Sequence, residues 1–397
     1  MNKNSSIISR RDFINKSGTL LAGATFLGTF VPLSMVSCQR TKLMAVKHVV
    51  VASEKGRFLA WPANNGIWNW DQGADILVGF TDGPFEEQSG HNIGLERYHR
   101  SGLARSTDGG KSWQVEHPEN FLETGSIPQI CPGNIHFGHP DFAMRVGATG
   151  YHGNDDPKGH FYYSYDRGKT WEGPWRFNEL NADTQLQGIE ITARTSYFVT
   201  GERSAQVILT ARRPGIEWSD RLDKPFLAET NDGGSTFQFI SWIVPWSDNN
   251  RAAMPSSVIT QSGKMIVSAR RRNPFDPTQI DWVDCFVSAD NGRSWSFLSK
   301  VGETGFHNGN PPGLTILRDG RLACCYANRN RSEVLVRFSN DEGKSWGEET
   351  VLRDNPLDYD IGYPQIVENN KGQMVAIYYL ATEEMPHSHI EAAIWQP

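Results

Sequence analysis

An eight-residue motif that occurs five times in the 397-residue chain constrains its fold more than any other feature. The motif reads Ser/Thr-x-Asp-x-Gly-x-Ser/Thr-Trp/Phe, and its copies lie at residues 106–113, 164–171, 230–237, 288–295 and 339–346. Its aspartate can accept backbone N–H bonds across a hairpin turn, and its glycine permits a positive φ. The aromatic residue can then pack beneath the turn as the next strand begins. Copies at intervals of roughly 50 to 65 residues predict a repeated, all-β unit.

Short apolar segments recur in the same order around each copy of the motif. A sixth unit, which lacks the motif, has segments at 363–367, 373–379 and 390–395, and therefore supplies three strands. We expect residues 47–52 to add the fourth strand, which would close a ring of six blades and hide most strand edges. The prediction is one six-bladed β-propeller spanning residues 45–397. A β-sandwich or a solenoid is the alternative.

Composition excludes several classes of partner. The net charge is −6, and the chain has no long run of Lys or Arg beyond its first residues, so we expect no nucleic-acid partner. The spacing of Cys131, Cys285, Cys324 and Cys325 fits no zinc site, and we expect buried free thiols. We expect no metal, no cofactor and a monomeric protein.

The first 38 residues have the features of an export signal. Paired arginines, Arg10 and Arg11, precede an apolar stretch, as in twin-arginine leaders. The stretch ends in Met35-Val36-Ser37-Cys38, which is similar to a lipoprotein processing site with Cys38 as the lipidated residue. The expected location is the periplasm or cell envelope, with membrane contact through the lipid alone. An ordinary cleaved signal peptide is the alternative.

The five motifs resemble the Asp-boxes of the sialidase superfamily, and the resemblance covers essentially the whole chain after the leader. It implies a six-bladed propeller whose Asp-box aspartates are structural and whose site lies in the central funnel. Three segments are typical of a bacterial sialidase-like group: His139-Pro140-Asp141-Phe142, Asn310-Pro311-Pro312 and Gly362-Tyr363-Pro364.

The resemblance also implies roles for individual residues. Sialidases hold the substrate carboxylate with three arginines, and Arg57, Arg270 and Arg329 lie at the matching positions, with Arg271 and Arg272 as substitutes for the second. Tyr363 matches the tyrosine nucleophile. The acid/base is expected from the polar blade-one loop that runs from Asp82 to Arg100, and Glu86 is our candidate there.

One position departs from the sialidase pattern. The glutamate that polarises the tyrosine should lie sixteen residues before the second arginine, and Met254 occupies that place. A thioether cannot polarise a phenol. Either another carboxylate serves Tyr363, or Tyr363 has another role, or the chain is not a sialidase.

Two histidines add a second possibility for proton transfer. His136 and His139 lie within four residues of each other, at the end of what we expect to be an inner strand of blade two. Histidine is the side chain best suited to acid/base work near neutral pH. Together with Tyr363, they are our candidate catalytic groups.

Other inner-strand residues are candidates for substrate binding. Arg194 opens an inner strand of blade three, and a group of Arg194, Arg270, His139 and Tyr363 would suit an acidic sugar. Trp61 offers an indole face for a sugar ring, although tryptophans in such strands are more often core residues.

Three functions follow from these patterns. The first is an exported exo-glycosidase that releases a terminal anionic sugar from a glycan. The second is a polysaccharide lyase or a histidine-dependent glycosidase acting on a uronate-containing glycan. The third is a glycan-binding surface lipoprotein without catalysis.

Overall fold

A computed structural model describes most of the chain. The described residues are 41–42, 45–88, 90–94, 99–118, 127–147, 158–192, 194–214, 222–306 and 309–397. The expected export signal and Cys38 therefore lie outside the described residues.

The described strands form six sheets, which are the six blades of an all-β propeller, as the sequence predicted. Blade one contains β3 (Arg57–Ala60), β4 (Ile67–Trp70), β5 (Asp75–Pro84), β6 (Arg100–Ser106) and β7 (Gln114–Glu116). Blade two contains β8 (Ala143–Gly147), β9 (His160–Ser164) and β10 (Glu172–Arg176). Blade three contains β11 (Glu190–Thr192), β12 (Tyr197–Gly201), β13 (Ser204–Arg212), β14 (Lys224–Thr230) and β15 (Gln238–Trp242).

The remaining three blades follow the four-strand order that the sequence pattern predicted, and one short strand is added in parallel to the edge of blade five. Blade four contains β16 (Arg251–Ile259), β17 (Met265–Arg272), β18 (Asp281–Ser288) and β19 (Ser296–Gly305). Blade five contains β20 (Gly313–Ile316), β21 (Leu322–Asn328), β22 (Glu333–Ser339), β23 (Thr350–Arg353) and the short β1 (Thr41–Lys42). Blade six contains β24 (Gly362–Glu368), β25 (Met374–Leu380), β26 (His389–Trp395) and β2 (Lys47–Ala52).

Helical structure among the described residues is confined to single turns. They are α1 (Pro62–Asn65) and three 3₁₀ turns at Asp71–Gly73, Leu180–Ala182 and Thr184–Leu186. None of the helices in the described part of the chain has the length and apolar character needed to cross a bilayer.

The ring closes through an antiparallel pairing of β2 with β26, as predicted for residues 47–52. Lys47 lies opposite Ile394, and the register continues to Ala52 opposite Ile390. Val51 is 3% exposed and packs in a cluster shared by blades six and one. β2, which precedes all strands of blade one, therefore completes the last blade.

Each Asp-box is a hydrogen-bonded turn. In the second box, Asp166 accepts bonds from the backbone N–H groups of Lys169 and Thr170 at 3.0 and 2.9 Å, and from the Thr170 hydroxyl at 2.7 Å. The Trp171 indole N–H donates to the carbonyl of Gly168 at 3.0 Å. The four other boxes repeat this pattern of aspartate bonds. The boxes are structural, as expected.

All boxes lie at one end of their sheets, which we call the box end. In blade four, box residue Ser288 lies opposite Met265, whereas Arg272 lies opposite Arg251 at the other end, which we call the far end. Arg57, opposite Pro84, is likewise at the far end of blade one. Side chains at the two ends therefore face different surfaces of the propeller.

Blade two corrects the sequence prediction. Its described part has three strands, and the edge of β8 that faces the axis is bonded by side chains of other blades instead of by a strand. The Trp68 indole donates to the Met144 carbonyl, and the Tyr197 hydroxyl accepts from the Met144 N–H. The Thr195 hydroxyl accepts from the N–H of Val146.

The expected placement of residues 134–141 at the funnel end of an inner strand is therefore wrong. This segment crosses the box end, where Ile135 N–H donates to the Gly233 carbonyl and Phe137 N–H donates to the Glu202 carbonyl. The reason is chemical: residues 127–142 include three prolines and two glycines, which interrupt a strand ladder.

The four cysteines after the leader are buried and unpaired, as predicted. Cys324 and Cys325 are neighbours on β21, and they belong to two different hydrophobic clusters on opposite faces of that blade. Burial raises the pKa of the Cys325 thiol well above its ordinary value. These thiols act as small core residues.

We expect Asp166→Ala to lower the free energy of unfolding by about 1–3 kcal/mol, because the turn loses the acceptor of several hydrogen bonds. Urea unfolding measures this difference. Asp276→Ala is the control, since Asp276 is exposed in a loop outside any box and bonds within its own turn, to Thr278. Equal effects of the two substitutions would contradict a special structural role for the box.

Candidate active site

Three residues that precede a proline share an unusual backbone conformation: Met254 on β16, Tyr363 on β24, and Trp61 between β3 and α1. Trp61, Met254 and Tyr363 have φ values of 60°, 56° and 49°. Such positive values are strained for residues with a side chain, and they persist where the surrounding structure holds them. At Met254 and Tyr363 the strand register shifts, as in a β-bulge. All three side chains are buried in one cluster that joins blades one, four and six.

This cluster, which we call the axial plug (Trp61, Met254 and Tyr363), lies between the two ends of the propeller. The Trp61 and Tyr363 rings are 6.4 Å apart. On the box side of the plug is a cavity of about 320 Å³, lined among others by Ser256 and Gln365, each two residues beyond a plug residue. On its far side lies a network of charged groups.

Asp360 is the centre of that network. One carboxylate oxygen accepts a bond from Arg329 at 3.0 Å and another from the Tyr379 hydroxyl, while the other oxygen lies 2.8 Å from Nδ1 of His91. Arg329 also donates to the Tyr379 hydroxyl at 3.1 Å. The side chains of Asp360 and Arg329 are almost fully buried, and that of His91 is 26% exposed. His91 is therefore the member of the network that solvent reaches.

The protonation of these groups is coupled. Burial alone would lower the pKa of His91, but the hydrogen bond and charge of Asp360 raise it above 6.5. Burial alone would raise the pKa of Asp360, but His91 and Arg329 hold it below 3.8. Burial and the charge of Asp360 keep the pKa of Tyr379 well above its ordinary value, so Tyr379 remains a donor. Both pKa shifts favour an ionised Asp360 carboxylate beside a protonated His91 ring.

Tyr363 lies beside this network, between two arginines. Its hydroxyl oxygen accepts a bond from Arg270 at 3.3 Å, and the Arg329 guanidinium carbon is 5.7 Å from the centre of its ring. Its backbone N–H donates to Asn310, whose side chain in turn donates to the carbonyl of Ile361. Two of the three arginines expected from the resemblance, Arg270 and Arg329, thus meet the expected tyrosine.

The backbone at Tyr363 requires the preceding glycine. Gly362 has a φ of 100°, and a Cβ atom there would lie 2.5 Å from the Asn310 side chain. The segment Gly362-Tyr363-Pro364 and Asn310 are therefore one structural unit, in which the glycine lets the asparagine approach and the asparagine fixes the tyrosine.

The third expected arginine, Arg57, forms a separate cluster at the far end of blade one. Its Nε donates to Asp82 at 2.7 Å, and Arg100 bonds the other carboxylate oxygen of Asp82. Asp82 is 1% exposed, so both of its oxygens are engaged by cations inside the protein. Glu86, our candidate acid/base, is exposed in the loop that follows.

His136 and His139 do not join Tyr363. His136 is exposed, with its Nε2 3.3 Å from Glu202, and the His139 ring packs 5.1 Å from the Tyr165 ring beside the second Asp-box. Both lie at the box end, because their segment is not an inner strand. His139 therefore does not belong to the expected group of Arg194, Arg270, His139 and Tyr363, of which the structure joins Arg270 and Tyr363.

The two remaining candidates lie near the axis. Arg194 is half-buried next to Thr195, whose hydroxyl bonds the carbonyl of Asn65 in α1. Trp61 belongs to the plug, and its ring is 5.0 Å from that of His91. Its indole is therefore packed against the network and is not an open face for a sugar.

Asp360 and His91 are the members of the network that sequence reasoning did not select. His91 is in the polar blade-one loop, and Asp360 precedes Tyr363 by three residues, but neither forms a motif. No group of three or more metal-binding side chains occurs among the residues for which the structure gives positions.

Comparison with known proteins places the fold. The model of the BNR repeat-like domain matches residues 150–377, more than half of the chain. The chain belongs to this family. A search of curated protein sequences gives no match. Similar solved structures share the sialidase-like BNR propeller fold with this chain at low sequence identity.

Three of these structures illustrate the range. A protein of unknown function from Dyadobacter fermentans has a TM-score of 0.64 at 19% identity, covering 89% of this chain and 99% of its own. A GH93 α-L-arabinofuranosidase of Fusarium graminearum has a TM-score of 0.54 at 14% identity, and the match covers 87% of this chain and 96% of its own. The Hadza microbial sialidase Hz136 has a TM-score of 0.55 at 13% identity, and the match covers 85% of this chain and 66% of its own.

The raised pKa of His91 predicts a pH-dependent contribution to stability. A group whose pKa is raised on folding stabilises fully below its unfolded pKa, near 6.5, and loses that contribution as pH rises through the folded pKa. The difference in unfolding free energy between the wild type and His91→Asn should therefore be largest below pH 6.5 and decrease above it. Urea unfolding between pH 5.5 and 9 measures this. A difference that grows with pH would contradict the His91–Asp360 pairing.

Proposed function

We propose that the protein is a glycoside hydrolase that removes a terminal anionic sugar from a glycan. The observation that carries this proposal is the meeting of Arg270, Arg329 and Tyr363 beside the His91–Asp360 pair, on a fold shared with glycosidases. Guanidinium groups suit a sugar carboxylate because they bind it with paired donors.

Tyr363 is the proposed nucleophile. Met254 stands where sialidases carry the glutamate, so Tyr363 would release its proton to solvent water before attack, and the nearby guanidinium groups of Arg270 and Arg329 would stabilise the negative charge left on its oxygen. The phenolate oxygen would attack the anomeric carbon and form a covalent glycosyl intermediate, which water then hydrolyses.

His91 is the proposed acid/base. The hydrogen bond and charge of Asp360 raise its pKa and so favour the protonated form that an acid needs, and His91 is the most exposed group of the network. It would protonate the departing glycosidic oxygen and later accept a proton from water. Asp82 is less suited to that role, because Arg57 and Arg100 bind both of its oxygens.

A histidine-dependent lyase acting on a uronate is the second candidate. The His91–Asp360 distance of 2.8 Å favours it, since a carboxylate-supported imidazole is also a competent base for abstracting the proton next to a carboxyl group. The two reactions differ in their products: a lyase leaves a double bond that absorbs in the ultraviolet, and a hydrolase does not.

The test is digestion of a panel of sialylated, uronate-containing and neutral glycans by the wild type and three variants. Tyr363→Phe and His91→Gln should each lower turnover of the accepted glycan by about 100-fold or more, because each removes a group that acts in the transition state. His139→Ala should retain wild-type turnover, since it lies at the box end. Wild-type rates in the first two variants would disprove the proposed site.

We also propose that the protein is exported and held at the cell envelope by a lipid on Cys38, in keeping with a glycan substrate outside the cytoplasm. In cells fed a labelled fatty acid, the protein should carry the label and partition with membranes. Cys38→Ser should abolish both. Labelling of Cys38→Ser would contradict the assignment.

A further inference from the structure

The axis of the propeller also holds a cavity on the box side of the axial plug. Its volume is about 320 Å³, which lies within the range of about 300–1,000 Å³ found for small-molecule sites. Every blade contributes to the described lining, through β4, Phe142, Tyr197, Ser257, Leu314 and Gln365 in blade order. The charged network of His91 and Asp360 lies on the other side of the plug. The cavity is therefore a second concave site, separate from the candidate active site.

The polarity of this lining selects the class of ligand. Its described residues include no acidic, basic or histidine side chain, and their polar groups are mainly hydroxyls and the side-chain amides of Asn69 and Gln365. A charged group that moved here from water would lose hydration and gain no opposite charge in return. A neutral ligand therefore suits this cavity, in contrast to the far end.

The serine hydroxyls retain hydrogen-bonding capacity for such a ligand. The Ser256 hydroxyl accepts a bond from the backbone N–H of Leu314 at 2.9 Å, which leaves its own proton to donate. The Ser196 and Ser257 hydroxyls share one bond at 2.8 Å, so one of their two protons is not used in it. These bonds join neighbouring blades and hold the hydroxyls in place beside the cavity.

Gln365 presents the largest polar group that the other described residues leave unbonded. It is half-buried, and its side-chain amide makes no hydrogen bond within the described ranges. The register of β24 against β25 shifts just before it, as in a β-bulge, and bulges re-aim the side chains beside them. The exposed amide of Asn69, on β4, is likewise not bonded by described residues. Each amide therefore keeps a carbonyl acceptor and N–H donors for a ligand.

Apolar side chains complete the cavity. Trp70 and Leu314 are largely buried in its wall, and Ile67 and Tyr197 are half-buried there. A sugar ring has the same mixed character, because hydroxyls surround its edge while C–H groups cover its faces. Small-molecule sites combine apolar walls with a few placed polar groups in this way. The cavity thus matches an uncharged carbohydrate in polarity.

We propose that this cavity binds a neutral sugar ring. Gln365 and Asn69 supply amide groups, and the serine hydroxyls of blades three and four supply further hydrogen bonds. Sugar hydroxyls both donate and accept, so they can engage both kinds of group. This proposal does not rest on the proposed glycosidase function, because none of the described lining residues belongs to the network of His91 and Asp360.

Isothermal titration of the purified protein with methyl β-D-glucopyranoside tests the site. The wild type should bind this glucoside saturably, with a dissociation constant of about 1 mM, since neutral hydrogen bonds contribute little net free energy in water. Gln365→Leu and Asn69→Ala should each weaken binding about fivefold to tenfold, because each removes hydrogen bonds to the ligand.

Gln238→Leu is the matched control, since it makes the same change at an exposed position on β15, the outer strand of blade three. It should bind the glucoside as the wild type does. Equal affinity in Gln365→Leu and Gln238→Leu would overturn the proposal, as would the absence of saturable wild-type binding up to about 50 mM glucoside.

A charged twin of the glucoside tests whether the site is selective for neutral ligands. Sodium methyl β-D-glucuronide differs from it only in a carboxylate that replaces the C6 hydroxymethyl group. Any binding of the glucuronide should be unaffected by Asn69→Ala, because the described lining offers its carboxylate no cation. A loss equal to that seen with the glucoside would refute the neutral ligand class.

Stability measurements separate a binding defect from misfolding. Without sugar, Asn69→Ala should unfold at the wild-type temperature, since Asn69 is exposed. Added glucoside should raise the unfolding temperature of the wild type and of Gln238→Leu more than that of Asn69→Ala. His91→Gln should keep the wild-type affinity for the glucoside, whether or not the protein digests a glycan. Loss of glucoside binding in His91→Gln would assign the sugar to the candidate active site and overturn the proposal.

Discussion

The backbone ladder between β2 and β26 is the interaction on which the site depends. It joins the start of the propeller to its end, and so it places blade one beside blade six. The bond from His91 to Asp360 crosses this junction, as does the packing of Trp61 against Tyr363. Without the closed ring, the imidazole and the carboxylate would belong to opposite ends of an open chain of blades, 269 residues apart in sequence.

Several charged side chains inside that ring are buried. Ion pairs in such surroundings cost desolvation free energy, and they persist when each partner is fully hydrogen-bonded. Asp360 meets this condition through His91, Arg329 and Tyr379. The buried arrangement holds the groups in fixed orientation before a ligand arrives, which is what transition-state stabilisation by preset charges requires.

The sequence was sufficient for the fold because Asp-boxes carry their own geometry: serine, aspartate, glycine and tryptophan specify the turn locally, and their spacing specifies the blades. The proximity of Arg270, Arg329 and Tyr363 could be expected because they sit at fixed places relative to those blades, while their roles stay a prediction. His139 was misplaced because prolines and glycines in its segment remove the strand on which the expectation relied. The His91–Asp360 pair was missed because its two members come from loops of different blades, and only ring closure brings them together.

The axial plug has a consequence for access from the far end. Trp61, Met254 and Tyr363 come from blades one, four and six, and their side chains are buried in one hydrophobic cluster. A ligand that reaches the charged network from the far end therefore meets packed side chains at this depth. Such a floor suits a ligand that presents its end better than one that has to pass through.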